Sequence, residues 1–85
     1  MKNYYKVIKS RLITSVIMTN TYTKDNDVNI NHLHYGSCIC WAQVLRDLGH
    51  NVEIHAHVEN ELLKISIISI DNEKINIWFW KVEDF

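Results

Sequence analysis

The chain has 85 residues with a formal net charge of −1, and hydrophobic residues make up 47% of it. This composition excludes a disordered chain, because enough apolar surface can be buried to offset the entropy lost on folding. The length predicts a single domain over residues 1–85, and no apolar run approaches the roughly 20 residues that cross a membrane. Since no signal-peptide pattern follows Met1, the expected compartment is the cytoplasm.

Charge is distributed unevenly along the sequence. Residues 1–24 carry five Lys or Arg residues and no acid, whereas residues 51–85 carry seven acids and three lysines. No single element has a dense basic stripe, which argues against nucleic-acid binding. We therefore expect charges of opposite sign to meet across the folded chain.

The N-terminal part is predicted to form a β-hairpin or a pair of strands. Residues 13–23 (ITSVIMTNTYT) are rich in β-branched side chains, which pack better on a pleated surface than on a helix. Residues 3–12 fit both a helical and a strand period, and we assign them to strand. Residues 24–27 (KDND) favour a turn, after which residues 28–35 can return as a short strand.

One central helix is predicted at about residues 37–49. Ser37 is a suitable N-cap, and Gly49 can adopt the left-handed conformation that ends a helix. At about 100° per residue, one side of this helix is apolar and should face the core. That side consists of Cys38, Trp41, Ala42, Val44, Leu45 and Leu48.

A three-stranded antiparallel meander is predicted after the helix, at about 52–59, 62–70 and 75–82. In the first strand Val52, Ile54, Ala56 and Val58 alternate with Glu53, His55, His57 and Glu59, and we expect the apolar set to face the helix. The second strand has isoleucines on both faces, which predicts burial on both sides. Together these elements predict an α+β fold.

A possible catalytic residue lies at the start of the predicted helix, where free N–H groups would stabilise a thiolate. The run GSCICWA (residues 36–42) locally resembles the segment around the nucleophile of papain-like peptidases, C-G-S-C-W-A, with Ile39 as a departure. The following LRDLGH is similar to the helix end of bacteriocin-processing peptidases. The resemblance implies a cysteine hydrolase or transferase in which Cys40 is the nucleophile and His55 or His57 is the base.

The strand period argues against that constellation. It places His55 and His57 on the face opposite the apolar residues that should pack on the helix, and hence away from Cys40. Two cysteines two positions apart on a helix also diverge too far to form a disulfide. We therefore expect Cys38 and Cys40 to be reduced thiols that belong to the core rather than to an active site.

Histidine pairs are the basis of a metal-binding alternative. His55 and His57 lie one residue apart on a predicted strand, and His32 and His34 repeat this spacing upstream. Four imidazoles brought together would suit a transition metal. Nothing in the sequence places the two pairs side by side, so we expect no cofactor.

The leading hypothesis is a non-enzymatic protein that binds and inhibits or modulates a larger protein. One helix cannot cover both faces of the meander, so a face carrying Trp78 and Trp80 could remain exposed and anchor a partner. Glu83 and Asp84 beside them predict a partner with a basic rim. Phage and mobile-element inhibitors of host defence, such as anti-CRISPR proteins, are proteins of this kind by analogy, and an exposed strand edge would allow a homodimer.

Overall fold

The computed structural model describes residues 2–21 and 28–75 of the chain. In chain order the elements are helix α1 (Lys2–Thr21), helix α2 (Val28–Asp47) and strands β1 (Val52–Glu59), β2 (Leu62–Ile70) and β3 (Glu73–Ile75). The fold is α+β, as predicted, but it begins with two helices instead of an N-terminal β-hairpin.

Helix α1 replaces the strands predicted for residues 3–12 and 13–23 up to Thr21. Its buried aliphatic side chains recur at helical spacing, and they are Ile8, Leu12, Ile13, Val16 and Ile17. Poor helix formers cost at most about 0.7 kcal/mol per residue, whereas burying one such side chain contributes about 1.5–3 kcal/mol. The burial that this helical period allows therefore outweighs the strand preference of β-branched residues.

Helix α2 begins nine residues before the predicted N-cap, at Val28 rather than Ser37. The Ser37 hydroxyl does not cap the helix, because it donates to the carbonyl of Leu33 at 3.3 Å, one turn back. The return strand predicted for residues 28–35 is also wrong. His32 and His34 consequently lie on a helix.

The end of α2 was predicted correctly. Gly49 has a φ of 96°, in the left-handed region. The N–H of Gly49 donates to the carbonyl of Arg46, and that of His50 donates to the carbonyl of Leu45, both at 3.0 Å. This pair of hydrogen bonds is the Schellman motif, which satisfies the last carbonyls of the helix and turns the chain towards β1.

The sheet has the order β1-β2-β3 with antiparallel pairing throughout. β1 and β2 have the predicted bounds, while the predicted third strand, 75–82, lies outside the described residues except at Ile75. Two-residue turns join the strands, and all four of their residues have positive φ: Asn60, Glu61, Asp71 and Asn72. Such turns match the twist of the strands that they connect.

The core lies between the helices and one face of the sheet. Ile65, Ile68 and Ile70 of β2 are buried there. β1 follows the prediction only at its start, because Val52 is buried while Val58 is 68% exposed. Burial of β2 on both sides was also wrong, since Ile67 on the outer face is 42% exposed.

Two asparagines from the helices complete the edge of β2 that β3 does not cover. The Asn20 side chain accepts from the N–H of Ile65 and donates to its carbonyl, and Asn31 does the same with Leu63. Each amide thus takes the place of a neighbouring strand. Asn31 is fully buried and also donates to the carbonyl of Thr19 at 2.8 Å.

In residues 2–21 and 28–75, neither helix combines the length and the hydrophobicity that a membrane span requires.

Candidate functional site

Cys40 does not lie at a helix N-terminus. It is in the interior of α2 and is exposed, while Cys38 is buried. The free N–H groups that would stabilise a Cys40 thiolate belong to the start of the helix at Val28, three turns away. Cys38 is a poorer candidate for a nucleophile than Cys40, because burial raises the pKa of its thiol to about 11. The papain-like interpretation depended on Cys40 lying in the first turn of a helix, and the structure does not place it there.

His55 and His57 lie on the outer face of the sheet, opposite the face on which the helices pack. His55 Nε2 is 2.7 Å from Glu53 Oε1, and His57 Nδ1 is 3.0 Å from the Ser66 hydroxyl. No hydrogen bond within the described residues joins either imidazole to Cys40. The prediction that the period-2 pattern separates the histidines from the helix is in accord with this placement.

Ser66 carries no sequence pattern that would select it as a functional residue. His55 pairs with Ile67 and Ala56 with Ile65, so Ser66 is the extra residue of a β-bulge. A hydroxyl, an imidazole and a carboxylate in a row can activate a serine, but Glu59 Oε2 is 3.9 Å from His57 Nε2, beyond hydrogen-bond distance. Both side chains are about half exposed to water. The row of hydroxyl, imidazole and carboxylate is therefore not hydrogen-bonded throughout.

The histidine pairs do not converge on a metal site in the part of the chain that the structure describes. No group of three or more His, Cys, Asp or Glu side chains there could hold a metal ion. His32 Nε2 lies instead 3.3 Å from the carbonyl of Glu61. On a helix, side chains two positions apart such as His32 and His34 point in different directions.

The predicted partner-binding residues Trp78, Trp80, Glu83 and Asp84 lie outside the described residues. Their role stays a prediction.

The candidate site in the described residues is an apolar groove between the start of α1 and the end of α2. It has a volume of about 490 Å³ and is lined by Tyr4, Tyr5, Ile8, Val44, Leu48 and His50. Tyr4 is 64% exposed and Leu48 55% exposed. Val44 and Leu48 were predicted to face the core, but α2 buries Cys38, Ala42 and Leu45 and leaves these two at the groove. We refer to these six residues as the α1–α2 groove.

His50 is the polar group of this groove, and its position is fixed from two sides. Its Nδ1 donates to Oδ2 of Asp71 at 2.8 Å, and its ring lies against that of Tyr5 with centroids 4.4 Å apart. The backbone N–H of Asn51 donates to the other oxygen of Asp71 at 2.9 Å. The hydrogen bond from His50, supported by that from Asn51, lowers the pKa of the Asp71 carboxyl. Nε2 of His50 has no hydrogen-bond partner in the described residues and can bind a group in the groove.

Helix α1, which forms one side of the groove, is basic as a whole. α1 contains no acid, and Lys9 Nζ lies 5.8 Å from the centroid of the Tyr5 ring. Lys6 and Arg11 are exposed on the same helix. None of these three cations forms an ion pair with an acid in residues 2–21 or 28–75, so their charge is directed to solvent. The expectation that opposite charges meet across the fold also concerns Lys24, Glu83 and Asp84, which lie outside the described residues.

Comparison with known proteins finds no family model, no curated protein and no solved structure that matches this chain.

Proposed function

We propose that this protein is a non-enzymatic interaction protein that binds a larger protein partner. The observation that carries the proposal is the α1–α2 groove, in which Tyr4 and Leu48 are more than half exposed. Large apolar side chains that line an open groove on a small protein are typical of a protein-binding surface, and tyrosine is enriched in such surfaces.

The chemistry of the groove indicates the kind of segment that it would accept. An aliphatic or aromatic side chain suits the floor formed by Ile8, Val44 and Leu48. Acidic residues beside that anchor would meet Lys9 of α1, whose Nζ lies 5.8 Å from the centroid of the Tyr5 ring. The partner that we propose therefore presents an apolar anchor flanked by acids.

The C-terminal segment would make a separate contact. Its partner surface would have a basic rim, as predicted from the sequence, because Glu83 and Asp84 lie beside the tryptophans Trp78 and Trp80. Both contacts suit a protein that inhibits or modulates its partner by covering it, as phage and mobile-element inhibitors such as anti-CRISPR proteins do. A cytoplasmic location is part of the proposal, supported by two cysteines that are both free.

The test is affinity capture from a cell lysate with the full chain, read by mass spectrometry. The groove variant is Tyr4→Ala with Leu48→Ala. The matched control is Val7→Ala, because Val7 is 54% exposed on α1 but does not line the groove. A stoichiometric partner that is captured by wild type and control but lost with the groove variant supports the proposal.

A parallel capture with Trp78→Ala and Trp80→Ala separates the two surfaces. Loss of the partner in this variant alone would place binding at the C-terminal segment and exclude the groove. Retention of the partner by the groove variant would contradict the role proposed for Tyr4 and Leu48. Far-UV circular dichroism of each variant verifies that the helices remain folded.

A further inference from the structure

Helix α2 carries a second exposed surface on the side turned away from its buried residues. Five positions alternate at spacings of three and four residues along this side, and we call them the α2 outer face: Ile30, Leu33, Ser37, Cys40 and Val44. Leu33 is 68% exposed, Ile30 39% and Val44 36%. Apolar residues at this spacing are the pattern by which one helix packs along another.

The α2 outer face has no charge. Residues 28–45 contain no Asp, Glu, Lys or Arg, in contrast to the basic surface of α1. In a two-fold symmetric interface the same surface meets itself, so a surface with charges of one sign would repel its copy. An uncharged apolar helix face is therefore complementary to a second copy of itself.

Gly36 lies in the interior of α2 beside this face. Apart from its chain neighbours and the backbone of its own helix, nothing in the described residues lies within 4 Å of a Cβ at this position. Glycine disfavours a helix interior, and packing within one copy gives no reason for it here. The absence of a side chain leaves room for a second helix to approach.

From these observations we infer that the protein forms a homodimer in which the α2 outer faces of two copies pack against each other in antiparallel orientation. With the two-fold axis between Ser37 and Cys40, each Leu33 lies opposite Val44 of the second copy. The two small side chains, Ser37 and Cys40, then lie opposite each other at the centre. Leu33 and Val44 thus meet on either side of the centre, and Ile30 lies at each end opposite the exposed Asp47 of the second copy.

The size of the α2 outer face determines how tightly the dimer should bind. A 20-residue helix is about 30 Å long, and a standard interface buries about 800 Å² on each partner. A single helix face lies at the small end of this range. The dimer should therefore dissociate on dilution. It shares only Val44 with the α1–α2 groove and does not depend on the function proposed for that groove.

Sedimentation equilibrium of the full chain, from low to high micromolar concentration, tests the inference. The variant is Leu33→Glu, which introduces a charge into the α2 outer face. The matched control is Val7→Glu, because Val7 is an exposed aliphatic residue of α1 at 54%. We expect wild type and control to pass from monomer to dimer, and Leu33→Glu to weaken the dimer by at least about tenfold.

A charge exchange tests the orientation. Leu33→Glu combined with Val44→Lys places opposite charges across the antiparallel contact and should restore the dimer lost with Leu33→Glu alone. No restoration would overturn the antiparallel arrangement. A wild type that stays monomeric at every concentration would overturn the inference as a whole. A dimer that Leu33→Glu leaves intact, or that Val7→Glu weakens equally, would do so as well.

Discussion

The two cysteines of α2 are close in sequence but differ sharply in environment. Cys38 is buried, and its Sγ lies 3.5 Å from the hydroxyl of Thr19. Cys40 is exposed on the solvent side of the same helix. Two positions correspond to about 200° of rotation around the helix axis, which is enough to place one thiol in the core and the other in water.

Thiol reactivity should reveal this difference. With a disulfide reagent at neutral pH, we expect Cys40 to react at the ordinary rate of an exposed thiol. Cys38 should react only when the protein unfolds, because it is inaccessible and burial raises its pKa to about 11. Cys40→Ser should remove the early phase and leave the late one. A Cys40 thiol that reacts far faster than a model thiol would revive the cysteine-nucleophile interpretation.

Asp71 makes the stability of the protein depend on pH in the acid range. Hydrogen bonds from His50 and from the N–H of Asn51 lower its pKa in the folded state. A carboxyl with a lowered folded pKa contributes stability that is present above its unfolded pKa, about 3.9. That contribution is lost as pH falls through the folded value.

Asp71→Asn isolates this effect. Asparagine suits the turn, where Asp71 has a φ of 52°, and it can still accept from Asn51. The free energy of unfolding of the variant should fall less steeply than that of wild type as pH drops below about 4. The measurement is urea denaturation at a series of pH values. Identical slopes for both proteins would show that the His50–Asp71 pair does not stabilise the fold.

Among the elements, the edge of β2 shows how the helices stabilise the sheet. β3 covers Ile68 to Ile70, and the amides of Asn20 and Asn31 cover Ile65 and Leu63 further along the same edge. An unpaired edge would leave backbone donors and acceptors available to other chains. The two asparagines thus satisfy backbone groups that a neighbouring strand would otherwise pair.

Asn31→Ala should be among the more destabilising single changes in the described residues. It removes three hydrogen bonds at a fully buried site and leaves the N–H and carbonyl of Leu63 unpaired. We expect a loss of about 2–4 kcal/mol in the free energy of unfolding, measured by chemical denaturation.

The control for this prediction is Gln43→Ala. Gln43 is exposed on the same helix and donates to Asp47 at 2.9 Å. Its replacement should change stability by no more than about 0.5 kcal/mol. If both variants lost a similar amount of free energy of unfolding, the hydrogen bonds of Asn31 to the edge of β2 would not be a special source of stability.

At the scale of the whole molecule, the packing leaves two apolar surfaces of different charge. Lys9 lies beside Tyr5 of the α1–α2 groove, whereas the five positions of the α2 outer face carry no charge. The first is suited to a partner with acidic residues and the second to another copy of the chain. This difference in charge is the physical reason for assigning a different partner to each surface.

The second half of the fold was predictable because its signals are local. The alternation in β1, the turn residues at Asn60 and Asp71, and Gly49 at the helix end each specify their own backbone within a few residues. The first half was not. In residues 13–21 the β-branched composition and the helical spacing of apolar residues point to different structures, and only the burial obtained by packing decides between them.

The sequence alone therefore determined the α+β class, the bounds of β1 and β2, and the end of α2, because backbone conformation at these places follows from nearby side chains. Tertiary structure decided what the candidate sites are. It buried Cys38 and exposed Cys40, turned His55 and His57 to the far face of the sheet, and brought Tyr4 and His50 together in one groove. Those outcomes depend on which elements pack against each other, and contacts between residues distant in sequence leave no periodic signal within one segment.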